Sequence, residues 1–284
     1  MCLLCDAKSA LRPATSSPWS ARRAFVLAAG AVAAVPALAQ VDVGSGSTLR
    51  KLVPADQLEG AATKQYSQML AEARSKGALA PEGHPQLVKL RAIASRLIPL
   101  APKWNSRAAQ WKWEVNLLGS KQINAFCMPG GKIAFYTGIL DQLKLTDDEA
   151  AMIMGHEMAH ALREHARARM AKSQATSLGL SLGAQLLGLG DLGNAAANVG
   201  TQLLTLKFSR DDETEADLVG LELAARAGYD PNASVTLWKK MVAASGGAGG
   251  PGFLSTHPTG PDRIRQLEAN VPKVRGLYEQ ARKR

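Results

Sequence analysis

One short run constrains this chain more than any other: Gly155-His156-Glu157-Met158-Ala159-His160, set in a stretch that reads as a helix. Two histidines four apart project from the same helix face, one turn from each other. That spacing lets both imidazoles share one tetrahedral zinc ion. Glu157 stands beside them, where it can take a proton from water activated by the metal. The flanking residues Ala150, Met152, Ile153, Met154, Met158, Ala159 and Leu162 are apolar, so the middle of the helix is expected to be buried. Neutral histidines without partners are poor core fillers, which favours a metal as their reason for being there. Any fold that carries this helix must bury it, supply a third ligand and leave one coordination position open.

The start of the helix is written in Thr146-Asp-Asp-Glu149. Threonine and glutamate three apart form a capping box, and the two aspartates suit the positive helix end. The third ligand is sought in Ser209-Arg-Asp-Asp-Glu213-Thr-Glu215-Ala-Asp217. Glu213 and Asp217 are four apart and share a face. Glu213 is therefore expected as the ligand, with Asp217 accepting the free ring N–H of a ligating histidine, expected to be His156. Glu215 points about 200° away from Glu213 at roughly 100° per residue and reads as a surface or packing acid. His165, five past His160, is rotated off the metal face and reads as a surface histidine. His84, between Gly83 and Pro85, reads as a loop residue.

Around this centre the chain organises into three parts. Residues 1–23 are polar and basic, Phe25 to Val35 are apolar, and Ala37-Leu38-Ala39 precedes Gln40. This three-part pattern predicts a cleaved signal peptide over 1–39, and Arg22-Arg23 suggests a twin-arginine export signal. The expected location is the periplasm. Residues 40–80 read as a flexible lead-in followed by a helix over 56–76, and 81–284 as the zinc peptidase domain. A second helix runs to about Leu97. Strands are expected at Trp111–Leu118, Ile123–Cys127 and Lys132–Tyr136, the last two separated by Pro129-Gly130-Gly131. Residues 173–200 are rich in Ser, Gly, Ala and Leu and read as two short helices around a Gly-rich break. A helix from about Leu206 to Ala227 ends at Gly228, Gly246–Gly252 is a loop, and the last helices begin near Pro261.

Composition narrows the function classes. Hydrophobic residues make up 46% and charged residues 20% of 284, enough for an ordinary core and too ordered for a disordered chain. Net charge is +10, which admits nucleic acid or an anionic membrane surface as partners. The basic residues are scattered, apart from Arg163, Arg167 and Arg169 and the Arg282-Lys283-Arg284 tail, and no nucleic-acid motif is present. Nucleic acid is therefore set aside. Of Cys2, Cys5 and Cys127, only Cys127 lies beyond the segment expected to be removed, so no internal disulfide is expected.

Four separated motifs resemble those of the family-48 zinc metallopeptidases, the group that includes HtpX, CAAX prenyl proteases, the mitochondrial OMA peptidase and periplasmic BepA- and LoiP-like proteases. They are Asn124-Ala-Phe-Cys-Met-Pro-Gly-Gly131 with Tyr136-Thr-Gly138, the Gly155–His160 helix, Ser209–Asp217, and Thr256-His257-Pro258 with Arg263. The resemblance covers about residues 85–270. It implies an α+β, mostly helical gluzincin fold with a small mixed sheet beside the HExxH helix, and one zinc ion per chain. It also implies that the strand at 132–136 is the cleft edge, to which an extended polypeptide substrate adds by backbone hydrogen bonds; an internal strand is the other reading. His257 has three readings: a donor to the developing oxyanion, a ligand that fills the open zinc position and holds the enzyme latent, or a pin for the loop before Pro258. Arg263 either pairs with an active-site carboxylate or supports a helix contact.

The expected function is zinc-dependent endopeptidase action on extended or misfolded proteins in envelope quality control. Catalytic roles fall to Glu157, His257 and Asp217, and metal binding to His156, His160 and Glu213. Two alternatives stand beside it. One is a chaperone-like factor in outer-membrane protein assembly with little proteolysis, touching the assembly machinery or the membrane surface. The other is a structural zinc or membrane-interaction module.

Overall fold

In the computed structural model, residues 41–173, 203, 206–244, 252–257 and 262–283 are described. They lie within a unit spanning Ala39–Arg284. The expected signal segment 1–39, the Gly- and Leu-rich stretch beyond 173 and nearly all of the 246–252 loop fall outside the described residues.

The apolar helix of the histidine motif is the axis of the architecture. Helices α1 (Ala55–Ser75) and α2 (Pro85–Leu97) precede a sheet of β1 (Glu114–Leu118), β2 (Ala125–Met128) and β3 (Lys132–Tyr136). A short α3 (Thr137–Gln142) leads to α4 (Asp147–Leu162), which carries His156, Glu157 and His160. Helices α5 (Arg210–Arg226), α6 (Ala233–Ala244), α7 (Gly252–Thr256) and α8 (Arg263–Ala281) complete the described order. The α+β, mostly helical class and the small mixed sheet agree with the sequence reading.

Helix α4 starts where its side chains dictate. The Glu149 amide donates to Thr146 Oγ1 at 3.2 Å, and the Thr146 amide donates to Glu149 Oε2 at 2.9 Å. Every residue from Glu149 to Leu162 is buried, as befits a helix apolar on all sides. Helix α5 begins later than Leu206 because Ser209 and Asp212 form a second capping box, which satisfies the free amides at that point.

The sheet order is β1-β3-β2, with β1 parallel and β2 antiparallel to β3. This corrects the expectation for Lys132–Tyr136. The strand is central, hydrogen-bonded on both sides, and offers no edge to a substrate. Its four buried residues in succession are the mark of a strand covered on both faces. The tight β2–β3 connection through Gly130 and Gly131, at φ 84° and 77°, places β2 on the outside instead. At Gly131 a Cβ would lie 2.7 Å from the Trp113 ring, so that turn accepts only glycine.

Residues 41–53 are anchored, in contrast to the flexible lead-in expected. Val41 is buried and its amide donates to Glu222 Oε2 at 3.1 Å. The Gly44 carbonyl accepts from Arg163 at 2.9 Å, and Arg50 pairs with Glu164 at 3.1 Å. Apolar Val43 packs against Ala159, Ala216 and Val219, which gives the segment a reason to stay put.

Candidate metal centre

Helices α4 and α5 cross closely enough to bring the two acid-bearing stretches together. His156, His160, Glu213 and His257 each direct one ligand atom into a space where all four lie within 4.8 Å of one another. All four residues are buried. Nε2 of His156 and Nε2 of His160 are 3.1 Å apart, close to the ~3.3 Å between two nitrogens on one tetrahedral zinc. Each stands 3.5 Å from a Glu213 oxygen.

The protons can be assigned from the outer partners. His156 Nδ1 lies 3.0 Å from Asp217 Oδ1, and a carboxylate only accepts. His156 therefore donates from Nδ1 and presents a lone pair at Nε2. Asp217 is held in turn by Arg263, whose Nε and Nη2 donate at 2.5 and 2.8 Å. Arg263 Nη1 is 2.9 Å from Glu213 Oε2, and the guanidinium lies 3.5 Å above the Trp238 ring. Of the two readings for Arg263, the carboxylate pairing is the one the structure shows, and it engages two carboxylates.

Charge follows from burial and neighbours. Burial opposes charge on His156, yet Asp217 and Glu213 outweigh it and lift its pKa to about 9. A proton on Nε2 and a metal ion therefore compete for this position, and the lone pair is presented only once that proton has left. Burial, reinforced by the neighbouring His156, pushes His160 well below its usual value, so it stays a neutral ligand. Burial would raise Glu213 and Asp217, but the histidines around the first and Arg263 with His156 beside the second hold both carboxyls low. Glu157 is different: burial raises it. Its Oε1 is buried without a hydrogen-bond partner and stands 3.6 Å from His257 Nε2. Two imidazole lone pairs, an anionic carboxylate and an orphaned buried oxygen fit a metal ion with a water beside it.

His257 sits among the ligands. Its Nδ1 is 2.9 Å from Glu213 Oε1 and 3.3 Å from His156 Nε2, and its ring stacks on Phe253 at 4.4 Å. His165, read as a surface histidine, is not at the surface, and Glu215, read as a surface or packing acid, takes the packing role. His165 is buried with Nδ1 2.9 Å from His160 Nδ1. Glu215 pairs with His165 and Arg163. The expectation for His165 assumed that the helix continues. It stops at Arg163–Glu164, and Glu164 takes the left-handed φ of 59°, which turns His165 back toward His160. Phe208, stacked on His160 at 3.9 Å, carried no signal in the sequence.

Beside the cluster runs a cleft lined by β2 residues Ala125 to Met128, by Ala161, Leu206 and Phe208, and by Glu157 and His160 of the centre. The Tyr136 amide donates to the Asn124 carbonyl at 3.1 Å. Antiparallel alternation then turns the backbone groups of Ala125 and Cys127 away from β3, where the Ala125 amide donates to Asn124 Oδ1 at 3.0 Å.

Residues 88–271 match Peptidase family M48. The chain is 36% identical over 211 residues to the mitochondrial metalloendopeptidase OMA1 of Schizosaccharomyces pombe, covering 74% of this chain and 59% of that protein. It is 40% identical over 160 residues to the Arabidopsis thaliana mitochondrial metalloendopeptidase OMA1, covering 56% and 32%. It is 28% identical over 202 residues to the metalloprotease LoiP of Escherichia coli, covering 70% and 76%. The chain thus spans between about a third and three fifths of the length of these two mitochondrial relatives. The expected periplasmic location is overturned, because relatives of higher identity than LoiP are mitochondrial proteins. A short basic–apolar leader names no compartment by itself. With 36% identity to the fungal peptidase across 74% of its own length, and a family match over 88–271, the chain belongs to peptidase family M48.

Proposed function

We propose that the protein is a zinc-dependent endopeptidase that cleaves extended or misfolded polypeptides laid along the outer edge of β2. The observation that carries this reading is the convergence of His156, His160 and Glu213 on one point, with the orphaned Glu157 carboxylate beside it. His156, His160 and Glu213 would hold the ion. Zinc supplies Lewis-acid polarisation of the scissile carbonyl and acidifies water at its side.

The chain's own groups do the rest. The Ala125 carbonyl and the backbone groups of Cys127, turned away from β3, would align an extended substrate beside Glu157, a mode that asks little of substrate sequence. Burial that raises the Glu157 carboxyl suits a group that takes a proton from water and returns it to the leaving amine. Asp217 orients His156 and keeps its Nε2 lone pair inward. His257, the fourth member of the cluster, fits the reading of a latency ligand, since its Nδ1 lies 2.9 Å from Glu213 Oε1 and 3.3 Å from His156 Nε2. Action on unfolded proteins is consistent with quality control, since only an unfolded chain can add as a strand.

The test is cleavage of a reduced, unfolded protein against the same protein folded, with and without chelator. Cleavage of the unfolded form alone, abolished by chelation and restored by zinc, is the expected outcome. A peptide N-methylated at the amides that face β2 should resist cleavage. Equal cleavage of folded and unfolded forms, or of methylated and plain peptide, contradicts the strand-addition reading.

A further inference from the structure

His156 and His160 are oriented by different devices. Behind His156 stands a carboxylate, Asp217, backed by Arg263. Behind His160 stands another histidine: Nδ1 of His165 is 2.9 Å from Nδ1 of His160, and Nε2 of His165 is 2.9 Å from Glu215 Oε2. Glu215 is itself ion-paired with Arg163, and Arg163 donates to the Gly44 carbonyl at 2.9 Å.

The hydrogen placement along this chain runs one way. Glu215, ion-paired with Arg163, is a carboxylate and can only accept. His165 must then carry its hydrogen on Nε2, and in the neutral ring that leaves Nδ1 as an acceptor. The hydrogen within its reach is the one on His160 Nδ1. His160 is thereby committed to the tautomer whose Nε2 faces the cluster as a lone pair. The ring is also fixed in plane, by Phe208 stacked on it at 3.9 Å.

The backbone is built to hold this contact. A helix continued past His160 would carry residue 165 about 140° off the metal face, at roughly 100° per residue. Instead α4 ends at Arg163, the Glu164 amide donates back to Ala161 at 3.1 Å, and Glu164 adopts the left-handed conformation. That conformation is costly for a non-glycine residue. Here Arg50 and Arg167 grip the Glu164 carboxylate at 3.1 and 2.7 Å.

We propose that His165, locked by Glu215 and Arg163, is a positioning residue that sets the tautomer and orientation of His160 and so the metal affinity of the site. The inference rests on the reading that His156, His160 and Glu213 hold the metal. Partners of metal-ligating histidines of this kind contribute roughly 10- to 100-fold in affinity.

The experiment measures the zinc dissociation constant of the full chain by competition with a chromogenic chelator, alongside the visible spectrum of the cobalt-substituted protein. The variants are His165→Leu, His165→Asn and Glu215→Leu. His165→Leu is expected to weaken zinc binding about 10- to 100-fold and to alter the cobalt spectrum. His165→Asn, whose amide oxygen can accept from His160 Nδ1, is expected to recover most of the loss. Glu215→Leu, which keeps His165 but frees its tautomer, should show an intermediate loss and carries the test if His165→Leu fails to fold. Unchanged zinc affinity in folded His165→Leu or in Glu215→Leu, or no recovery in His165→Asn, overturns the relay. A wild-type chain that takes up no zinc overturns the metal-site reading itself, so the two failures are distinguishable.

Discussion

Gly155 and Gly220 meet backbone to backbone where α4 crosses α5: a Cβ on Gly155 would lie 2.8 Å from the Gly220 carbonyl oxygen, and one on Gly220 would lie 2.6 Å from the His156 amide nitrogen. Neither distance is open to a real methyl group. The crossing brings Glu213 and Asp217 to His156, so these two glycines set the spacing of the site. In a free helix, glycine to alanine stabilises by about 1 kcal/mol. Here Gly220→Ala is predicted to destabilise by about 1–3 kcal/mol through overpacking and to weaken metal binding. Thermal unfolding with and without zinc reads both effects, and a variant more stable than wild type would show that the helices can part freely.

Glu222 predicts an acid dependence. Its carboxylate is fully buried and accepts from Lys103 at 2.8 Å, Arg226 at 2.7 Å and the Val41 amide at 3.1 Å. Burial would raise the carboxyl, but these donors outweigh it and hold it below the usual range. A depressed folded-state value means that the contribution is fully present above the unfolded value, about 4.3, and is lost as pH falls through the folded one. Glu222→Gln should cost about 1–3 kcal/mol at neutral pH, with the gap to wild type closing below about pH 4. Denaturant titrations from neutral pH into the acid range measure it; a gap that widens toward acid would contradict the assignment.

On the proposed reading, His257 sets the open or closed state of the centre. A site held closed about nine-tenths of the time gains about tenfold when the closing group is removed. Cleavage by His257→Ala is therefore expected to rise severalfold, with zinc still bound through His156, His160 and Glu213. A fall in turnover by about two orders of magnitude, the scale of a lost oxyanion donor, would assign His257 to catalysis instead. Steady-state cleavage rates of the two proteins, matched for zinc content, separate these outcomes.

Much of the centre was legible because its signals are local. Helix periodicity places His156 with His160 and Glu213 with Asp217, and the Thr146–Glu149 capping box marks the start of α4. The second box, at Ser209 and Asp212, closes on an aspartate and gives no such signal, so the sequence reading starts α5 at about Leu206. What escaped depends on tertiary geometry. The order β1-β3-β2 is a matter of pairing, so adjacent strands in sequence do not say which is the edge. The left-handed Glu164 sits on a residue type that does not announce a helix end, so periodicity projects His165 along a helix that has already stopped. Gly220 looks like an ordinary weak spot in a helix until Gly155 is placed against it.

On the proposed reading, Glu157 moves the proton while His156, His160 and Glu213 hold the metal. Zinc content and cleavage of an unfolded protein, measured together in wild type and Glu157→Gln, test it most directly. One zinc per chain is expected in both, with cleavage reduced at least about 100-fold in the variant, as for loss of a general base. Cleavage by Glu157→Gln at the wild-type rate, or wild-type activity that survives complete removal of zinc, would contradict it.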